Sequence, residues 1–251
     1  MKIGIIGTGN IGAKLTHKFS AAGHAVQIAG RHHPQDLAGL ARELGASATT
    51  LNEVGEGVDI LITSIPFGRM PDLKPTIDRV PVDVPVADTS NYYPPRDGRI
   101  PAIDAGLPEG VWIEQRMERP VARAWNAILQ VTLADKGRPK GSVERLAIPV
   151  AGNDSAKQLL EHLVEDTGFD YVDAGSVEDA WRLQAGAPAY CTELNADQLK
   201  AAIALADQET VLIRREALLA IIGTWEPIQG PVFADILDLN RAAARLRPIP
   251  T

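Results

Sequence analysis

One glycine pattern near the start of the chain constrains the fold more than any other feature. A short apolar run at residues 2–6 leads directly into the hexapeptide GTGNIG at residues 7–12, and an amphipathic stretch follows. Between a strand and a helix, this G-x-G-x-x-G spacing is typical of a dinucleotide-binding turn, in which the backbone approaches a pyrophosphate closely and the helix N-terminus faces the phosphates. The sequence therefore predicts a dinucleotide site. The alternative is a glycine-rich turn in a structural domain of the same kind.

The order of the predicted elements agrees with such a site. Short β-branched runs alternate with longer amphipathic stretches, which is the pattern of a doubly wound parallel sheet. The predicted strands are 2–6, 25–29, 46–49, 58–65, 84–88, 111–114, 121–125, 145–151 and 169–173, and the predicted helices are 11–22, 34–44, 153–167, 195–222 and 232–245. We expect an α/β fold with a mostly parallel Rossmann-type sheet over residues 1–185. A smaller helical C-terminal segment, residues 186–251, is expected to border the substrate cleft.

The end of the second predicted strand indicates which dinucleotide is bound. NAD sites usually carry Asp or Glu there to hold the ribose hydroxyls, but this chain reads AGRHHPQ, with no carboxylate before Asp36. The planar guanidinium of Arg31 is suited to clamp a 2′-phosphate, with Thr8, His32 and His33 as further donors. The sequence therefore favours NADP over NAD. The alternative is that Arg31 and the histidines form a solvated loop.

Further candidates follow the strands of the nicotinamide half, where ligands of such sheets bind. Ser64, Ile65 and Pro66 come after the predicted fourth strand, and Asn91 and Tyr92 come after the fifth. Each of these residues also fits an ordinary turn. Asn126, a possible catalytic residue like Tyr92, equally fits a helix cap. The predicted cofactor-binding residues are Gly7, Thr8, Gly9, Asn10, Ile11, Gly12, Arg31, His32, Ser64, Ile65, Pro66 and Asn91.

Composition narrows the classes of partner. The 251 residues carry a formal net charge of −7, which argues against general binding to nucleic acid or to anionic membranes. A single cysteine, Cys191, excludes an internal disulfide and a cysteine-based metal cluster, and no metal site is predicted. No stretch approaches the roughly 18 apolar residues of a membrane span. We expect a cytoplasmic protein that acts on a small molecule.

Several segments together resemble one known family. They are GIIGTGNIG at the start, AGR after the second strand, RPVARAWNAI at 119–128, IPVAGNDSAKQLL at 148–160 and GFDYVDAGSVEDAWRL at 168–183. In this order and spacing, over about residues 1–185, they are similar to the NADP oxidoreductases that use the deazaflavin coenzyme F420. The last three segments look like that family's V-V-K-A-F-N, V-A-G-D-D and D-A-G-P-L motifs. The NADPH domain of the six-transmembrane metalloreductases shares them, but no stretch of this sequence predicts a membrane part.

The resemblance implies hydride transfer between NADPH and coenzyme F420, the two rings being stacked in a cleft between the sheet edge and the C-terminal segment. It also implies that the loop matching Thr8 and Arg31 binds the 2′-phosphate. The chain departs from the family at residues 181–186, where WRLQAG stands in place of a Glu-Pro-Leu continuation, and in a longer stretch over 190–251. Both departures fall where the second substrate is expected to bind.

Catalysis of this kind needs orientation and exclusion of water more than a side-chain acid. A carbonyl or imine reductase would instead need a proton donor, for which Tyr92, Tyr93 and Tyr190 are candidates. A third alternative is an NADPH-binding protein without turnover. Three arginines either contact the phosphate and glutamyl tail of a deazaflavin or are ordinary surface charges; they are Arg116, Arg123 and Arg182.

The C-terminal segment is rich in apolar residues. The predicted helix at 195–222 and the following Trp225, Phe233 and Leu237 carry more apolar surface than a solvated appendage needs. We therefore expect a homodimer whose partner helps to close each cleft. The alternative is that these residues cover the sheet of their own subunit.

Overall fold

A six-stranded, fully parallel sheet forms the centre of the molecule, for which the computed structural model describes residues 1–223 and 233–245. The strand order is β3-β2-β1-β4-β5-β6. The strands are β1 (Lys2–Ile6), β2 (Ala25–Ala29), β3 (Ser47–Ala48), β4 (Ile60–Thr63), β5 (Val86–Asp88) and β6 (Ala122–Arg123). The predicted α/β fold with a doubly wound Rossmann-type sheet is confirmed.

The central strands are buried on both faces because helices cover both sides of a parallel sheet. Successive side chains of a strand point to opposite faces. In β1, Ile3 and Ile5 pack with one set of core residues, which includes Leu15 and Phe19. Ile6 packs on the other face, in a second apolar cluster. The near-continuous apolar runs of the sequence therefore reflect burial on two sides.

The helices of the described residues lie between and after these strands. The α-helices are α1 (Asn10–Ala21), α2 (Pro34–Glu43), α3 (Lys74–Ile77), α4 (Pro94–Asp97), α5 (Pro101–Asp104), α6 (Glu109–Met117), α7 (Gln130–Asp135), α8 (Asp154–Asp166), α9 (Ala196–Ala204), α10 (Gln208–Gly223) and α11 (Phe233–Arg245). Two 3-10 helices occupy Phe67–Leu73 and Val177–Leu183. The α8 N-cap is Asn153, whose side chain accepts a hydrogen bond from the Ala156 amide at 2.9 Å. No helix among the described residues is both long and apolar enough to cross a membrane.

The strand predicted at 111–114 is wrong, because these residues lie inside α6. The run VWIE is apolar enough for a strand. However, the buried side chains of Trp112, Ile113 and Met117 recur at the spacing of a helix face. The four residues of the run are too few to show this periodicity.

The single helix predicted at 195–222 is also wrong, since α9 and α10 are separate. The residues between them include Asp207, whose Oδ1 accepts hydrogen bonds from the backbone N and the Oγ1 of Thr210, at 2.9 and 2.6 Å. Aspartate at an N-cap competes with helix continuation by satisfying the first amides of a new helix. The residues on both sides of the break have high helix propensity, so the sequence predicted one continuous helix.

The strands predicted at 145–151 and 169–173 exist, but they form a separate two-stranded parallel sheet of β7 (Ala147–Val150) and β8 (Asp170–Asp173). An isolated antiparallel bridge between Arg123 and Ala151 links this sheet to the end of β6. Leu199 and Ala202 of α9 belong to the same apolar cluster as Val172 of β8. The division of the chain into domains after residue 185 stays a prediction.

Candidate active site

The glycine loop has the geometry that its sequence predicts. Gly7 has a φ of +101°, and its amide donates to the carbonyl of Ala29 at 2.8 Å, so the chain turns sharply at the end of β1. A Cβ at Gly12 would lie 2.0 Å from the Gly7 carbonyl oxygen. Only glycine at this position lets α1 begin so close to β1.

Gly9 fits a bound pyrophosphate. A Cβ built on Gly9 meets no atom of residues 1–223 or 233–245 within 4 Å, so this face of the backbone is open to a ligand. Gly9 is also the N-cap of α1 and provides no side-chain hydrogen bond to the helix amides, and the first turn carries no acidic residue. The amides of that turn lack intrahelical acceptors and are available to phosphate oxygens. The loop therefore fits the dinucleotide that its spacing predicts.

A cavity of about 540 Å³ opens directly beside this loop. It brings together eight of the predicted cofactor-binding residues: Gly7, Thr8, Gly9, Arg31, His32, Ser64, Ile65 and Pro66. Asn10, Ile11 and Gly12 form the first turn of α1, and Asn91 lies with Asn126, outside the cavity lining. Two charged lining residues, Arg69 and Asp72, are not among the residues that the sequence predicts. Their position shortly after β4 is the signal that could have found them.

The charge at the end of β2 favours a phosphate over ribose hydroxyls. Arg31 is exposed at the cavity, and its Nε lies 3.4 Å from Nε2 of His32. Asp72 is the carboxylate among the lining residues, and its Oδ2 is 2.5 Å from Nε of Arg69. An NAD site would place an acidic residue at the end of the second strand. Here that position carries a cation.

A second polar site lies at the ends of β5 and β6, in the other half of the sheet. The Nδ2 atom of Asn126 donates to Oδ1 of Asn91 at 3.3 Å and to the carbonyl of Leu183 at 2.9 Å. Asn91 in turn donates from its Nδ2 to the Asn126 carbonyl at 2.8 Å. The Oδ1 atom of Asn126 is buried and has no hydrogen-bond partner among the described residues. An unsatisfied buried acceptor is costly, so this oxygen fits a donor group on a ligand.

The backbone next to Asn126 is strained. Trp125 has a φ of +55°, a left-handed conformation that is unfavourable for a bulky residue. Its indole is fully buried and packs edge-to-face on Phe19 with 5.7 Å between ring centroids. Cys191, also at positive φ, donates from its amide to the carbonyl of Ala127 at 3.1 Å. This packing holds the turn and fixes the direction of the Asn126 side chain, as strained residues at functional sites often do.

The three candidate tyrosines have different environments. The Tyr92 hydroxyl accepts a hydrogen bond from the amide of Ile100 at 2.8 Å and donates to Asp104 at 3.3 Å, and the side chain is fully buried. Tyr92 therefore belongs to a closed structural network. The hydroxyls of Tyr93 and Tyr190 instead hydrogen-bond to each other. Burial raises the pKa of both, so both stay protonated at neutral pH.

A buried ionic cluster, which no sequence pattern indicates, lies at the ends of β5 and β6. The guanidinium of Arg123 pairs with the carboxylates of Asp88 and Glu109 and also donates to the carbonyl of Ser90. Burial raises the pKa of Glu109 to about 7, although the nearby Arg123 opposes this shift. Arg123 is therefore neither a surface charge nor exposed to a ligand.

The other two arginines proposed for a deazaflavin tail rest on aromatic rings. The guanidinium carbon of Arg182 lies 4.4 Å from the centroid of Trp181, and that of Arg116 lies 5.3 Å from the centroid of Trp112. Both are cation–π contacts.

Comparison with known proteins places the chain in a family. Residues 2–92, which contain the glycine loop, Arg31 and the strand ends at 64–66 and 91, match the family model described as "NADP oxidoreductase coenzyme F420-dependent". Protein YjhV of Escherichia coli (strain K12) is 39% identical over 112 residues, which cover 44% of this chain and 80% of YjhV. The chain belongs to the family that this model describes. It is an NADP-dependent oxidoreductase with a Rossmann-type fold.

Solved structures similar to this family member share its fold. Protein SMa0349 from Sinorhizobium meliloti is 22% identical, covers 78% of this chain and 95% of its own, and gives a TM-score of 0.65. A candidate F420-dependent NADP reductase from Arthrobacter sp. FB24 is 22% identical, with 72% and 87% covered and a TM-score of 0.60. An imine reductase from Pseudomonas sp. is 14% identical, with 96% and 71% covered and a TM-score of 0.52. At these identities the likeness shows the fold alone.

Proposed function

We propose that this oxidoreductase transfers a hydride between NADP(H) and the deazaflavin coenzyme F420 or a similar small acceptor. The observation that carries the proposal is the cavity beside the glycine loop, in which Arg31 and His32 stand where an NAD site would carry an acid. The family membership supports the deazaflavin as acceptor. When bound, NADPH supplies the hydride from its nicotinamide ring.

Each part of the site has a separate role in this proposal. The amides of the first turn of α1 bind the pyrophosphate, and Arg31 with Thr8 and His32 binds the 2′-phosphate. Ser64, Ile65 and Pro66 continue the binding surface toward the ends of β4 and β5. The side chain of Thr89 donates to Oγ of Ser64 at 2.9 Å, which connects the two strand ends. The chain thereby orients the nicotinamide half beside Asn91.

The polar site at Asn91 and Asn126 is proposed to orient the acceptor. The unpaired Oδ1 of Asn126 accepts a hydrogen bond there, while its Nδ2 is already engaged by Asn91 and Leu183. Because hydride exchange between stacked rings is governed by proximity and exclusion of water, this fixed amide contributes by positioning.

One specific observation favours a second candidate, a carbonyl or imine reductase dependent on NADPH. The paired hydroxyls of Tyr93 and Tyr190 belong to the segments next to Asn91 and Cys191 and stay protonated. Such a pair can donate a proton to the oxygen or nitrogen of a substrate double bond. Reduction of a panel of ketones and cyclic imines, with no reduction of oxidised coenzyme F420, would favour this candidate. NADPH binding without turnover of any acceptor would indicate a binding protein.

The phosphate preference is tested with Arg31→Ala. Loss of a charge-assisted contact to a phosphate costs about 1.5–3 kcal/mol, so we expect NADPH to bind about 10- to 100-fold more weakly and NADH to bind unchanged. The measurement is titration calorimetry with both dinucleotides. Arg79→Ala is the control, because Arg79 is exposed and outside the cavity lining. Equal losses for NADPH and NADH would contradict the phosphate clamp.

We further propose a cytoplasmic homodimer. Leu205, which directly follows α9, and Ile213, inside α10, are 77% and 69% exposed. Large apolar side chains exposed to solvent favour contact with a second copy of the chain. Trp225 lies outside the described residues.

A further inference from the structure

We propose that Arg69 is a second residue that binds the 2′-phosphate of NADP(H), and that Asp72 is its counterion when no phosphate is bound. The proposal rests on the NADP assignment above and deepens it. The sheet order places β2 and β4 on either side of β1. Arg31 after β2 and Arg69 after β4 therefore line the cavity from the two sides of the glycine loop.

The 3-10 helix at Phe67–Leu73 fixes the direction of Arg69. Its apolar side chains Phe67, Met70 and Leu73 are buried in the core, and Phe67 stacks on Trp112 with 4.9 Å between ring centroids. With one face of the helix held in the core, Arg69 and Asp72 remain on the face that lines the cavity.

A close backbone contact fixes the same helix at its start. A Cβ at Gly68 would lie 3.0 Å from both the Cβ and the carbonyl oxygen of Asp97, so the helix packs tightly on the end of α4. Asp97 is itself held, since it accepts from the amide of Tyr93 at 2.9 Å. Arg69 therefore projects from a rigid support, which lowers the entropic cost of using it to bind a ligand.

The charge around the cavity fits a dianion. Within the described part of the chain, two guanidinium groups and His32 line it, against the single carboxylate of Asp72, although the whole chain carries a net charge of −7. The Arg69–Asp72 pair is solvent-exposed, with 73% and 56% of the two side chains accessible. Exposed ion pairs of this kind contribute only about 0–1 kcal/mol. A phosphate is a stronger, bidentate partner for guanidinium, so Arg69 can exchange Asp72 for the ligand at little cost.

The two residues are thus expected to have opposite effects on affinity. Removing Arg69 removes a phosphate contact. Neutralising Asp72 frees Arg69 and removes a negative charge near the phosphate, so it strengthens binding. Neither change affects a dinucleotide that lacks the 2′-phosphate.

The test measures binding of NADPH, NADH and 2′,5′-ADP to the full chain by calorimetry, without any acceptor. For Arg69→Ala we expect NADPH and 2′,5′-ADP to bind about 10-fold more weakly, and for Asp72→Asn a few-fold more tightly, consistent with charge-assisted contacts. NADH affinity is expected to stay unchanged in both. Arg69→Lys is expected to retain part of the phosphate preference, and Arg79→Ala serves as the matched surface control.

Three outcomes would overturn the proposal. Equal weakening of NADPH and NADH in Arg69→Ala would place Arg69 on the adenine or another shared group. No change in that variant would show that Arg69 does not contact the ligand. Weaker NADH binding in Asp72→Asn would assign Asp72 to the ribose hydroxyls. If Arg31→Ala also fails to discriminate between NADPH and NADH, the NADP assignment itself fails; if Arg31→Ala behaves as expected, only the role of Arg69 is rejected.

Discussion

Gly9 and Gly12 of the same loop have different roles, and substitution of each by alanine is expected to distinguish them. Gly9→Ala places a methyl group in open space at an extended φ of −74°, so we expect the chain to fold with nearly unchanged stability. That methyl group would, however, occupy the space in which the pyrophosphate approaches the backbone. NADPH affinity is expected to fall about 10-fold or more, as measured by calorimetry beside thermal unfolding.

Gly12→Ala is the matched comparison. Its Cβ would lie 2.0 Å from the Gly7 carbonyl oxygen, so α1 must shift away from β1. We expect the free energy of unfolding to fall by about 2 kcal/mol or more, because overpacking of a tight contact displaces the backbone. Unfolding in urea measures this loss. A Gly12→Ala chain as stable as wild type, or a Gly9→Ala chain that unfolds, would contradict this division of roles.

The carboxyl group of Glu109 is expected to make stability depend on pH. Burial raises its pKa to about 7 from the ordinary value of 4.5. Between these two values the folded chain holds more protons than the unfolded chain, so this group lowers stability as the pH rises through that window. Glu109→Gln cannot lose a proton and removes the effect.

The comparison of Glu109→Gln with wild type isolates this effect. The free energy of unfolding of the variant, minus that of wild type, is expected to rise by about 1–3 kcal/mol between about pH 5 and about pH 8. Denaturant unfolding at a series of pH values measures the difference. A difference that stays constant, or one that falls with pH, would show that Glu109 is ionised throughout.

Local sequence was a good guide to the residues whose roles depend on backbone geometry. Gly7 has the positive φ expected of the turn, and Gly9 and Gly12 have the open and closed surroundings that the motif predicts. The roles of Arg69, Asp72 and Arg123 were not accessible in this way. Their positions depend on contacts between segments distant in the chain, such as Arg123 with Asp88 and Glu109, and a one-dimensional pattern does not show them.

At the scale of elements, the boundary between α9 and α10 depends on one cap. Asp207→Ala removes both hydrogen bonds to Thr210, so we expect the free energy of unfolding to fall by about 1 kcal/mol. Urea unfolding measures the loss. Lys200→Ala is the control, since Lys200 is exposed inside α9. Unchanged stability in Asp207→Ala would mean that the cap does not stabilise the start of α10.

The two errors in the predicted secondary structure have a common physical cause. The run VWIE in α6 was predicted as a strand, and α9 and α10 were predicted as one helix, because intrinsic preferences of short windows are weak and tertiary packing overrides them. The strands from β1 to β5, each buried on both faces or followed by clear turn residues, were predicted correctly apart from their ends. The hydrophobic pattern of the sequence does not determine which strands pair. It therefore did not predict that β7 and β8 form a sheet of their own.

At the scale of the whole molecule, the surface that carries the exposed side chains of Leu205 and Ile213 is expected to mediate a homodimer. Ile213→Glu introduces a charge on that surface and should shift the molecular mass toward the monomer, because a buried unpaired charge is strongly unfavourable. Light scattering at micromolar concentration measures the mass. A wild-type chain that is monomeric, or a dimer unaffected by Ile213→Glu, would contradict this interface.

The sheet topology explains why the two halves of the site differ in how well the sequence predicts them. The glycine loop, Arg31 and His32 come from one continuous stretch, β1 to α2, so a short motif predicts them, while the remaining cavity lining follows β3 and β4. The acceptor half combines Asn91, Asn126 and Leu183 from three distant segments. In this half the family resemblance suggested a deazaflavin, whereas the geometry shows an oriented amide and a pair of tyrosine hydroxyls.

The most direct test of hydride exchange follows the transferred atom itself. NADPH carrying deuterium at the transferred position of its nicotinamide ring is mixed with oxidised coenzyme F420 and the protein, and the products are analysed by mass spectrometry and NMR. Direct hydride exchange predicts one deuterium on the reduced ring carbon of the deazaflavin for each NADPH consumed, on a single face of the ring. An unlabelled deazaflavin, with the label absent or carried instead by a ketone or imine product, would contradict it.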